Sequence, residues 1–156
     1  MGPPTLETLL AAPVHSRAPV LLFHPPGQPF TSPPLGLLYL AATLRKCGFT
    51  VSVLDACIER QTLQQALDVI RSLPVPPAVI GISCLTACWI PTVALLPALR
   101  RLCPGAKIVL GGPHVTALPE EALEQLGADY LVLGEGEVTF AALCRRLLGE
   151  DIAGPE

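Results

Sequence analysis

The residues of this 156-residue chain that could do chemistry stand at the ends of apolar runs. Ser83 closes the run that starts at Val79. A hydroxyl there offers one donor and two acceptor sites to a buried ligand nitrogen, or it is satisfied by a nearby carbonyl. Gly111 and Gly112 close the run that starts at Ala106. Without a Cβ they let a flat group lie against the backbone, or they permit the positive φ of a tight turn; both readings stay open. His24 and Asp55 end two further runs, and His114 follows the glycine pair, where it either faces a ligand or caps the loop. Glu135 and Glu137 read as acids at a helix N-terminus, favoured by the helix dipole. There is no Ser-His-Asp set, phosphate-binding glycine loop or paired-carboxylate constellation. These residues suit holding a ligand; they do not make a catalytic centre within this chain alone.

The elements that must carry them follow from hydropathy patterning. Pro19–His24, Thr50–Asp55, Val79–Leu85, Ala106–Leu110 and Asp129–Leu133 are short, continuous apolar runs of the kind found in strands buried on both faces. Between them lie helical patterns: the run from Pro33 to Arg45-Lys46 with Gly48 beyond, Thr62–Leu73, Ile90–Cys103 with Pro97 as an expected kink, Pro119–Leu126 and Glu137–Leu148. Strands alternating with helices through short loops predict an α/β fold, a flavodoxin-like doubly wound five-stranded parallel sheet of order 2-1-3-4-5 in a single domain. Ligands of such sheets sit beyond the carboxyl ends of the strands, which is where the residues above fall. Residues 1–18 read as a poorly ordered arm with a short helical turn near Leu6–Ala11, 19–150 as the domain and 151–156 as a tail.

Bulk composition removes other classes. The 18 prolines cluster outside the apolar runs and punctuate them, and only 15% of residues are charged. A net charge of −3 without a Lys/Arg cluster gives no footprint for nucleic acid or an anionic membrane. The longest apolar stretches are too short to span a bilayer, and the first 19 residues lack the basic region of a signal peptide. The six cysteines sit mostly within apolar segments, as small hydrophobes do, so they are expected reduced and the chain cytoplasmic.

Five motifs in order carry a resemblance. His24-Pro25-Pro26, Pro34–Ala42, Gly81–Ser83, Gly111–His114 and Gly134–Glu137 resemble the amino-terminal cobalamin-binding domain of cobalamin-dependent radical SAM enzymes, over roughly residues 19–153. Ser83-x-Leu85 with the later glycine pair also resembles the wider B12-binding signature. The resemblance implies cobalamin held base-off, its dimethylbenzimidazole tail lined by Ser83, Cys84, Leu85 and Thr86 over a floor of Gly111 and Gly112. It further implies Pro113 and His114 beside that floor, Gly134, Glu135 and Gly136 closing over the nucleotide, and Pro34, Leu35, Gly36 and Leu38 beginning a helix beneath the corrin. The implied partner is a radical SAM catalytic domain, in cis or in trans.

Departures from the family pattern matter too. The Asp-x-His-x-x-Gly motif that supplies a cobalt-ligating histidine is missing. His24 is the nearest substitute, but Pro25-Pro26 stiffens its backbone and no aspartate stands two residues before it to hold the imidazole, so no metal ligand is expected. Cys84 and Cys88 have the first spacing of an iron–sulfur triad, yet position 91 is proline, and no iron–sulfur cluster is expected in this chain. Asp55 is expected to cap the segment after its strand, and Trp89 to lie near the mouth of the site or under the third helix. Two other readings compete: a decayed flavodoxin-like domain serving as an interaction or regulatory module, and a site for another flat cofactor such as flavin mononucleotide.

Overall fold

The computed structural model describes residues 4–12, 14–27 and 33–149. The tail expected at 151–156, and residues 28–32 of the proline-rich loop, lie outside the described residues. Strands β1 (Val20–His24), β2 (Val51–Asp55), β3 (Val79–Ser83), β4 (Lys107–Gly111) and β5 (Tyr130–Leu131) form one parallel sheet ordered β2-β1-β3-β4-β5. This is the doubly wound flavodoxin-like topology expected from the sequence. The fifth strand is two residues long, shorter than its apolar run. The Asp129 carboxylate takes a backbone partner's place there, accepting from Ile108 N at 2.7 Å and pairing with Arg100 at 2.8 Å. Burial raises the pKa of Asp129, but the Arg100 guanidinium, the Ile108 N–H and nearby Lys107 outweigh it and hold the carboxyl below its ordinary value.

Helices α1 (Leu6–Ala11), α2 (Leu35–Lys46), α3 (Leu63–Arg71), α4 (Trp89–Leu102), α5 (Pro113–Ala117), α6 (Pro119–Leu126) and α7 (Glu137–Leu147) cover the two faces, with a 3-10 turn at Thr86–Cys88. Local sequence explains most of their limits. Thr62 and Gln65 form a capping box that starts α3, whose Ala66, Leu67 and Ile70 turn inward. Helix α2 ends in Arg45 and Lys46, favoured at the dipole's negative end, and Gly48 just beyond takes φ +93°. Pro97 lies inside α4, where it removes the N–H that would bond the Val93 carbonyl, yet the helix runs on to Leu102.

Successive strand residues point to opposite faces. Leu21, Phe23, Ile80, Ile82, Ile108 and Leu110 join the core under α3, α4 and α6, while Val20, Leu22, Val79 and Val109 join the core under α1, α2 and α7. Both faces being covered, the strands read as continuous rather than alternating hydrophobic runs.

The helical turn expected in the arm stands as α1, held more firmly than a poorly ordered arm would be. Thr5 and Thr8 form a capping box that starts α1, Leu9 is fully buried in the second core, and Val14 N donates to Cys47 O at 2.9 Å. Its anchor is Arg145 of α7, which is 3% exposed and donates through Nη2 to Leu9 O at 2.6 Å and to Ala12 O. The sequence shows the turn but hides its anchoring, because its main polar partner stands near the other end of the chain. Among the described residues no helix is long and apolar enough to cross a membrane.

Candidate functional site

Strand alternation decides what faces the space beyond the sheet. Leu22 and His24 of β1, Gly81 and Ser83 of β3, and Val109 and Gly111 of β4 all point to the α2/α7 side, and with those helices they line a cavity of about 720 Å³. It opens past the carboxyl ends of the strands and reaches inward under α2 and α7, to Leu37 and Phe140. Gly81 serves the packing beside the cavity, because Phe140 and Leu22 already occupy the space above it. A Cβ on Gly81 would meet Phe140 Cζ at 2.7 Å and Leu22 Cδ2 at 3.1 Å. Gly81 was the strand residue that sequence reasoning passed over as a site residue; its signal was its place two positions before Ser83, on the same face.

Of the residues singled out in the sequence, Pro34, Leu35, Gly36, Ser83, Leu85, Gly111, Gly112, Pro113, Gly134, Glu135 and Gly136 line this cavity. Leu38, Cys84, Thr86 and His114 are not among its lining residues. Leu38 stands outward on α2, 43% exposed, because the helix turns Leu37 and Ala41 to the sheet. Cys84 follows Ser83 and so faces the opposite layer, fully buried, its thiol 3.7 Å from Thr92 Oγ1. Thr86 and His114 pair with each other at 3.2 Å (Oγ1 to Nδ1), and the His114 ring lies against Trp89 with centroids 4.2 Å apart. Trp89 and His114 thus pack together at the carboxyl end of the sheet, outside the cavity lining.

The two glycines of the pair differ. Gly112 takes φ +99°, and a Cβ there would stand 2.9 Å from Cys84 O and 3.0 Å from Cys84 N, so it is required by the turn itself. Gly111 has no positive φ, and its Cβ would meet only Val132 O at 3.3 Å. The Ser83 hydroxyl has no hydrogen-bond partner among the described residues. Gly134, at φ +70°, donates its N–H to Thr116 Oγ1 at 3.0 Å, which ties the loop before α7 to α5.

His24 corrects one expectation. A carboxylate does steady it, from across the sheet rather than from its own loop: Nδ1 donates to Asp55 Oδ1 at 3.0 Å, and the two are register partners of β1 and β2. Asp55 also accepts from Ile58 N at 3.0 Å, the capping role expected of it. Cys88, at the end of the 3-10 turn, is fully buried; burial first, then Cys57, Cys84 and Asp55 nearby, push its thiol up to about 11. It is therefore a thiol at neutral pH rather than the thiolate a metal needs. Among the described residues no group of three His, Cys, Asp or Glu side chains is placed to hold a metal ion.

A family model described as the B12 binding domain matches residues 29–144. Among curated proteins, the chain is 32% identical over 126 residues to an uncharacterized methyltransferase of Pyrococcus horikoshii, covering 80% of this chain and 27% of that protein. It is 33% identical over 132 residues to the cytidylyl-2-hydroxyethylphosphonate methyltransferase of Streptomyces wedmorensis, covering 74% and 25%. The chain thus spans about a quarter of the length of these relatives. Two solved structures share the fold. The radical S-adenosylmethionine methyltransferase TsrM of Kitasatospora setae, with cobalamin and a 4Fe-4S cluster bound, superposes with TM-score 0.75 at 23% identity, over 88% of this chain and 28% of that one. A cobalamin-binding protein of Desulfitobacterium hafniense superposes with TM-score 0.67 at 21% identity, over 85% and 60%.

Proposed function

This chain belongs to the B12-binding domain family, and from that premise we propose that it holds cobalamin base-off, the dimethylbenzimidazole tail inserted in the cavity between the sheet and α2/α7. The observation that carries the reading is the trench of about 720 Å³ at the carboxyl ends of the strands, where Ser83 and Gly111 add little bulk between the sheet and α2/α7. A flat heteroaromatic ring fits such a trench, and Ser83 stands at its mouth with a hydroxyl able to donate to a ring nitrogen. The turn from Gly134 to Gly136 closes the nucleotide end, and the first turn of α2 underlies the corrin. His24 is assigned to tying the ends of β1 and β2 through Asp55, with the lower face of cobalt left open.

Bound cobalamin supplies one-carbon and one-electron chemistry; this chain's residues bind and orient it. Residues 19–150 are taken as the binding module, with α1 docked on it, serving a radical SAM methyltransferase-type partner in cis or in trans. The methyltransferase relatives support that partner class. The cytoplasm is the proposed setting, supported by six cysteines that are all reduced and buried.

Titration of the purified chain with cobalamin, followed by its visible spectrum, tests the reading. Saturable binding with a shift to the base-off spectrum is expected, and a chain that retains no corrinoid refutes it. Ser83→Ala is expected to weaken binding by about 1–2 kcal/mol, roughly 5–30-fold, through loss of one hydrogen bond to the buried base. An unchanged dissociation constant would remove Ser83 from the site.

A further inference from the structure

The inner end of the cavity is built differently from its mouth. The deep lining is Leu22, Leu37, Gly81, Val109 and Phe140, all apolar, and all but Gly81 belong to the core under α2 and α7. The polar side chains of the lining stand at the ends of the strands or beyond them: His24, Ser83, Thr116, Glu135 and Glu137. Strand backbone does not make up the deficit, because Gly81 and Val109 are register partners within the parallel ladder, where their backbone groups are committed. At the depth of Gly81 and Val109 a ring finds no side-chain donor or acceptor, and the Val132 carbonyl stands level with Gly111, nearer the mouth.

From this we propose that the cavity floor selects among corrinoids by the base they carry, accepting benzimidazole-type bases and rejecting purines. The inference rests on the proposed insertion of the tail in this cavity. An adenine base has the same flat outline but brings an exocyclic amine and extra ring nitrogens. On an apolar floor these lose their water and gain no partner, and such desolvation separates otherwise similar ligands. The methyl-bearing edge of a dimethylbenzimidazole has nothing to lose there. Val109 on the floor and Val132 on the wall beside Gly111 set the selection, because each presents a branched methyl pair where a hydroxyl of the same shape would offer hydrogen bonding.

The test measures dissociation constants of the full chain for three ligands: cobalamin, its adeninyl analogue, and cobinamide, which has no nucleotide. Cobalamin is expected to bind at least about tenfold more tightly than the adeninyl analogue, and more tightly than cobinamide. Val109→Thr and, separately, Val132→Thr keep side-chain shape and are expected to shrink the cobalamin-to-adeninyl ratio at least severalfold. Thermal melts identify the variant that is folded, and either one suffices. Equal affinities for cobalamin and the adeninyl analogue, with cobinamide weaker, would overturn the selection and leave the tail in the cavity. Cobinamide binding as tightly as cobalamin would place the tail elsewhere and overturn both proposals. A ratio unmoved in a folded threonine variant would show that this floor does not choose the base.

Discussion

Gly111→Leu is expected to lower cobalamin affinity by at least about 2 kcal/mol, thirtyfold or more, while the apo-protein melts within a few degrees of wild type. The reasoning is steric and separates the two adjacent glycines. Position 111 has an ordinary backbone conformation, and the one close neighbour of an added Cβ is Val132 O at 3.3 Å, a contact that yields by a few tenths of an ångström. The rest of the leucine side chain must then enter the space assigned to the base. Gly112→Leu is expected to behave differently. With φ +99° and the Cys84 backbone at 2.9 Å, it damages the turn between β4 and α5, and any loss of binding would come with loss of stability. Parallel calorimetry and cobalamin titration distinguish the two. A folded Gly111→Leu protein with unchanged affinity would show that the base lies outside this trench.

Arg145→Met is expected to destabilise the protein by about 2–4 kcal/mol, lowering the melting temperature by roughly 5–15 °C. Methionine keeps the apolar stem of the arginine but loses the guanidinium that donates to Leu9 O and Ala12 O. Two carbonyls at the end of α1 then lack their donor, and the helix loses its anchor to α7. Amide exchange should locate the damage: protection lost in residues 6–12 ahead of the strands. A melting temperature within about 1 °C of wild type would mean that α1 is held by Leu9 and Val14 alone.

The sheet was legible in the sequence because a parallel strand covered on both faces leaves a continuous apolar run. Val20–His24 and Val79–Ser83 stand out against the proline-rich connections for that reason. The strand-end residues were legible for the same reason, since Ser83 and Gly111 interrupt runs that would otherwise be wholly apolar. What escaped detection was pairwise and long-range. Nothing near His24 in the chain announces Asp55, because their contact is made by the β1–β2 register. Nothing near Leu9 announces Arg145. Cys84 and Ser83 are adjacent and both seemed available to a ligand, yet the pleat sends one to each face of the sheet. Gly81 looked like an ordinary small strand residue until Phe140 and Leu22 were seen to close over it. Helix α5, only five residues long, was hidden in a glycine-proline turn that gives no periodic signal.

The most direct measurement is electron paramagnetic resonance of cob(II)alamin with saturating protein. Free cob(II)alamin near neutral pH shows a nitrogen triplet from its own axial base. If the tail leaves cobalt for the trench and His24 stays with Asp55, that triplet disappears on binding, in the wild-type chain and in His24→Ala alike. A triplet that persists in both would mean that the base remains on cobalt, which contradicts the account at its centre; a triplet present in wild type and lost in His24→Ala would make His24 the lower ligand and contradict the open face assigned to the metal.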